Sequence, residues 1–145
     1  MISLTNLICE NMKLNPLTTF QQLRHTKSIV CYHASENQNF EPENKPLHVG
    51  SYQQAFSLAK NMLSAYKDKK FYIYEMIVDI KSMPNFLFDE DPQVEQSQAK
   101  YNSYAYSNRI EYTDGLHHGT NISIVIMDPV EQITSKQMVR VVCLI

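Results

Sequence analysis

The 145-residue chain has the length of one domain, and at that size folding removes roughly 68–70% of the unfolded surface from water, enough for a core without staples. Its 43% hydrophobic and 19% charged residues are values of a folded chain and exclude a disordered one. A formal net charge of −2, with no basic run, argues against a broad face for nucleic acid.

Three cysteines, Cys9, Cys31 and Cys143, lie far apart and form no CxxC, so neither a zinc site nor a disulfide framework is expected. "MISLTNLICENMK" lacks a basic n-region and a long apolar run, so no signal peptide is expected. Nor does any stretch approach the ~18 apolar residues of a membrane span. The expected setting is a reducing cytoplasm, without a membrane partner.

Residues 1–25 read as helical with weak periodicity; in "NPLTTFQQLRH" a threonine before Phe20 and Leu23 is placed to cap a short helix. "SIVCYH" is β-branched and aromatic and predicts a buried strand. "ASENQNFEPENKP" is polar, carries two prolines, and predicts a loop anchored by Phe40. A strand ending near His48 comes next.

The strongest periodicity follows "LHVGS". Tyr52, Ala55, Phe56, Ala59, Met62, Leu63 and Tyr66 recur at helical spacing, which predicts one amphipathic helix over 51–66. Ser51 with Gln54 three residues later reads as a capping box. Gly50 reads as the residue that lets the chain turn sharply from strand to capped helix.

"FYIYEMIVDI" predicts a strand with Tyr72, Tyr74, Met76, Val78 and Ile80 on one side and Glu75 and Asp79 on the other. "SMPNFLFDEDP" reads as a turn region and "PQVEQSQAKYNSY" as a short helix with Pro92 in its first turn. "AYSNRIEY" reads as a strand, "TDGLHHG" as a turn or loop, "NISIVIMDP" as a strand ended by Pro129, and "MVRVVCLI" as a final strand. The mixture lacks regular βαβ alternation. It predicts a single α+β domain over 1–145, with a helical segment at 1–27 and a core at 28–145 of two packed, mainly antiparallel sheets with flanking helices.

In chain order, "YHAS", "HVGSYQQA", "YSNRIE" and "NISIVIMDP" form a constellation. It resembles that of ADP-ribosyltransferase-like domains, particularly the small divergent ones of phage and polymorphic toxin proteins. The matching residues are Tyr32, His33, His48, Gly50, Ser51, Ala55, Tyr106, Asn108, Glu111, Ser123, Ile126 and Pro129. The resemblance implies a cleft that binds NAD as substrate without a GxGxxG fingerprint, and none is present. It implies transfer of ADP-ribose to a macromolecular acceptor, such as a host protein.

Breaking the nicotinamide–ribose bond builds positive charge on the ribose, which a neighbouring carboxylate stabilises. Glu111 is the candidate for that role. His33 matches the position that hydrogen-bonds the adenosine ribose, and Tyr52 the position that stacks on nicotinamide. Tyr32, His48, Gly50, Ser51, Asn108 and Ser123 complete the implied cofactor-binding set. Two departures stand out: Ala34 replaces the glycine that usually follows the histidine, and Arg109 stands where protein-modifying members carry Glu or Gln.

Each of these residues also has a plain structural reading. Tyr52 lies on the apolar stripe of the helix, where it is core; His33 sits on a buried strand; Ser51 is fully explained as a cap; Glu111 beside Arg109 reads as a strand-edge carboxylate. His117 and His118 have no third ligand at useful spacing and read as solvated. The alternative function is a non-catalytic protein on the same scaffold that binds or inhibits a host enzyme or defence system.

Overall fold

The computed structural model describes residues 11–80, 87–89, 104–111 and 118–144; within these, the side chains of 11, 87–89, 104, 106–111 and 118–121 lie outside the description. The fold is built on β2 (Ser28–Ser35) and β4 (Lys70–Asp79), which pair antiparallel from Ser28↔Asp79 to Ser35↔Tyr72. β8 (Ile133–Cys143) pairs antiparallel with the other side of β4, and the short β1 (Asn11–Lys13) runs parallel to β2. The first sheet thus has the order β1-β2-β4-β8. The second has the order β3-β7-β6-β5, with β3 (Leu47–Val49), β7 (His118–Ile126), β6 (Tyr104–Glu111) and β5 (Leu87–Asp89). Only the β5–β6 pairing in it is parallel. The chain is therefore a small α+β domain of two mixed, mostly antiparallel sheets.

Alternation along the strands assigns the core. One cluster brings Ile29, Cys31, Met76 and Val78 of the first sheet together with Val49, Ala105, Ile124 and Ile126 of the second. A separate cluster covers the opposite face of the first sheet, where Phe71, Ile73, Tyr32 and Val142 meet Ala55, Ala59 and Leu63 of helix α2 (Tyr52–Ala65). Hence β4 is buried on both faces. Burial of Phe71 and Ile73 departs from the one-sided alternation expected of it, and the cause is the helix packed on that side.

Helix α2 begins and ends as its pattern predicts. Ser51 Oγ accepts from the Gln54 N–H, the Gln54 side chain accepts from the Ser51 N–H, and Tyr66 is the C-cap. The same reciprocal box, Thr19 with Gln22, opens the five-residue helix α1 (Phe20–Arg24). The loop between β2 and β3 is anchored as expected: Phe40 packs on Tyr74 and His33, and the Tyr74 hydroxyl donates to the Gln38 carbonyl.

Other expectations are corrected. Residues 11–13, expected to be helical, are strand, because β2 offers them a parallel partner. The final strand begins at Ile133, not Met138, and a one-turn helix α3 (Pro129–Gln132) with proline in its first turn precedes it. β7 begins at His118, inside the expected loop, where it pairs with Glu111. The helix expected over 92–104 lies outside the described residues except at Tyr104, which opens β6, and the turn region expected over 82–92 lies outside them except at Leu87–Asp89, which are strand because β6 offers them a parallel partner. Among the described residues no helix is long and apolar enough to cross a membrane.

Candidate functional site

The two sheets are stitched where β2 passes the end of β3. Tyr32 and Gly50 exchange two backbone hydrogen bonds, N–H to O=C at 2.7 and 3.0 Å. One residue on, His33 Nδ1 lies 2.8 Å from the His48 carbonyl oxygen. A carbonyl only accepts, so His33 Nδ1 carries the proton and, in the neutral ring, Nε2 is left as an acceptor. Burial pulls the His33 pKa below its ordinary value, the hydrogen bond to His48 opposing in part, so the ring is neutral at pH 7.

Beside this seam lies a cleft of about 270 Å³ lined by Tyr32, His33, His48, Gly50, Gln54 and Ser123. Ala34, Val49, Ala55 and the exposed Leu58 supply its apolar wall. β2, the β3–α2 junction and β7 each contribute, so three segments distant in sequence converge. Gln54, whose spacing from Ser51 marks it only as a capping residue, is the organiser. Its Oε1 accepts from the Ser51 N–H at 2.9 Å and its Nε2 donates to Ser123 Oγ at 3.1 Å, tying α2 to β7. The pattern signalled the first bond; the second depends on β7 lying under the helix start, which no local pattern shows.

Gly50 is required by that same side chain. A Cβ at position 50 would stand 1.7 Å from Gln54 Oε1 and 2.8 Å from its Cδ. The expected reason, a special turn, is replaced by close approach, since the backbone of Gly50 lies outside the left-handed region.

The structure thus gathers Tyr32, His33, His48, Gly50 and Ser123 of the expected set. Ser51 is buried behind them and fully used as a cap. Tyr52 lines a different recess, on the α2 side of the first sheet, with Lys13, Gln53 and Glu75. Its ring meets Tyr32 edge-on at 5.5 Å and stacks on Phe56 at 6.0 Å, and its hydroxyl accepts from Arg140 Nη1 at 2.6 Å. Asn108 and Glu111 belong to β6, with side chains outside the description. In the β6–β7 register Ser123 opposes Tyr106, whereas Glu111 opposes His118 at the far end of the pairing, roughly 17 Å along an antiparallel strand.

Tyr32 also closes a polar row across the first sheet. Its hydroxyl donates to Glu75 Oε2 at 2.7 Å, and Gln137 Nε2 donates to Glu75 Oε1 at 3.3 Å. Burial raises the Tyr32 pKa, and the hydrogen bond with Tyr32 raises that of Lys13. These groups satisfy one another, which marks them as structural.

A second groove of about 440 Å³ shares His33 and His48 with the cleft and runs under the β2–β3 loop past Asn37, Phe40 and Glu43. The cleft alone is below the ~300–1,000 Å³ typical of ligand sites, but the two together fall within it. Among the described residues no cluster of three His, Cys, Asp or Glu could hold a metal. No family model, curated protein or solved structure matches the chain.

Proposed function

We propose that this chain binds NAD across the cleft and its neighbouring groove and transfers ADP-ribose to a macromolecular acceptor. One observation supports the reading most: residues from "YHAS", "HVGS" and "NISIVI", separate in sequence, line one cleft at the seam of two sheets. In this reading His33 Nε2 accepts a ribose hydroxyl, and the side chain that forces glycine at position 50 shapes the floor. The adenosine half follows the groove past His48, and the nicotinamide half lies in the cleft and extends from Ser123 along β7 toward the Glu111 end of the pairing. Glu111 supplies the carboxylate that stabilises charge developing on the ribose.

A second reading, a non-catalytic binding protein on this scaffold, is favoured by one feature. Among the described residues, the lining of the cleft contains no carboxylate. The two readings separate on turnover. Nicotinamide release and ADP-ribose adducts in a host lysate are to be measured by mass spectrometry for wild type and Glu111→Gln. Transfer by wild type, cut ~10²–10³-fold in the variant with NAD affinity kept, supports the enzyme. Affinity for NAD without release of nicotinamide in either protein supports the binding protein.

A further inference from the structure

Among the described residues β8 is the edge of the first sheet, and it carries basic residues without acidic ones. Residues 133–143 contain Lys136 and Arg140 and no acid. Arg140 lies over the Phe56 ring at 4.3 Å from its centroid, and Lys60 lies over the same ring at 5.4 Å. Lys70 opposes Cys143 in the β4–β8 register. Among the described residues, no carboxylate lies within ion-pair distance of Lys60, Lys70 or Arg140, whereas Lys69 and Lys136 are paired with Glu36 and Glu41. Lys60 and Arg140 thus share the α2 face of one edge of a chain whose formal net charge is −2, whereas Lys70, next to Phe71 in β4, lies on the opposite face.

The same edge is apolar. Met138 is 42% exposed, Val141 44% and Leu144 55%. A groove of about 270 Å³ runs between α2 and the end of β8, lined by Phe56, Lys60, Leu63, Arg140, Val142 and Leu144. The two faces of the edge are distinct. Arg140 and Val142 face α2, as their contacts with Phe56 and the helix cluster show. Met138 and Val141 oppose Tyr74 and Tyr72, which pack on the other face of the sheet. The pairing of β8 skips Thr134 and Val139, so bulges break the edge up to that point, but Arg140–Cys143 pairs regularly with Ile73–Lys70. Bulges and charges protect edges from unselective pairing. Here they leave one short regular stretch, flanked by Lys60 and Arg140 on one face and open apolar side chains on the other.

We propose that this edge docks an extended segment of a partner protein in which acidic and apolar residues alternate. The segment adds to the first sheet alongside Arg140–Leu144, by the strand-addition mode in which backbone hydrogen bonds give affinity and alternate side chains give specificity. Its acidic residues meet Arg140 and Lys60 on the α2 face. Its apolar residues cover Val141 and Met138 on the other. A second copy of β8 is the poorer occupant, because it would bring Lys136 and Arg140 against like charges. The NAD cleft is not involved, so the inference stands or falls apart from the activity proposed above.

The test uses the full chain and three probes: a fluorescent Glu-Val alternating decapeptide, a Lys-Val decapeptide, and vesicles of phosphatidylcholine with phosphatidylserine. The Glu-Val peptide is expected to bind, to shift the amide signals of Arg140–Leu144, and to bind at least tenfold more weakly to Lys60→Glu/Arg140→Glu. Both substitutions are at exposed positions, and a melting curve confirms folding. Absence of binding at millimolar peptide overturns the inference. So do equal binding of the Lys-Val peptide, unchanged affinity in the folded double variant, and binding to the anionic vesicles alone.

Discussion

At the scale of single residues, Gln54 and Gly50 form one unit. Gln54 satisfies a buried N–H at the start of α2 and reaches across to Ser123 on β7, and glycine at position 50 leaves the space that makes this possible. Gly50→Ala should displace the Gln54 side chain and cost about 1–3 kcal/mol, the range for losing a cap and leaving a buried donor unpaired. In a Gln54→Ala background the same change should cost far less. Urea unfolding of both single variants and the double variant measures the coupling; full additivity would contradict the shared-space account. Ser51→Ala, which removes the other half of the box, should cost ~1 kcal/mol. His33 gives a pH signature. Its folded pKa is depressed, so the unfolded chain binds the proton more readily. Stability from this group is then complete above the unfolded value near 6.5, falls as pH drops through it, and levels below the folded value. His33→Gln should flatten that limb, read as the wild-type-minus-variant stability between pH 8 and pH 5.

At the scale of elements, α2 shows why some of the chain is legible. A helix that packs one face against a sheet must repeat its apolar residues, and its free N–H groups demand a cap; both marks are local. Ala55 and Ala59 set how closely it approaches β2 and β4, since both are buried in the helix-side cluster. Ala59→Leu should therefore overpack that layer and cost ~1–3 kcal/mol, measured by thermal or urea unfolding; an unchanged midpoint would show that the layer has room. The elements misread are those whose causes are distant. Asn11–Lys13 becomes a strand because β2 lies alongside it. Thr134 and Val139 interrupt the alternation of β8 as bulges, so its first half carries no period-2 signal. Phe71 and Ile73 break the expected alternation of β4 because a helix covers the face assigned to solvent. In each case a tertiary neighbour overrides the local preference.

At the scale of the whole molecule, the cleft exists only because two sheets meet at Tyr32 and Gly50. The sequence holds the residue types and their order, but not the meeting, which is why His33, His48 and Ser123 were recognisable while Gln54 as a bridge was not. Nor does periodicity separate Tyr52 from Tyr32: both are aromatic and near the glycine, yet only Tyr32 borders the cleft, while Tyr52 closes against Phe56 and Arg140. That difference yields a prediction about ligand binding. A ligand that binds the folded chain alone stabilises it by RT ln(1 + [L]/Kd), ~2.7 kcal/mol at a hundredfold excess over Kd. At roughly 2–4 °C per kcal/mol for a domain near this size, NAD should raise the melting temperature of wild type by about 5–10 °C. Tyr52→Phe loses an exposed hydrogen bond to Arg140, so its ligand-free melting temperature should fall slightly while the NAD-induced rise is kept. His33→Ala removes a lining group with a free acceptor nitrogen, so its NAD-induced rise should shrink at every concentration tested. Differential scanning fluorimetry on the three proteins, each referenced to its own ligand-free curve, measures all of these shifts. A rise lost in Tyr52→Phe and kept in His33→Ala would move the nucleotide out of the cleft and into the recess behind Tyr32.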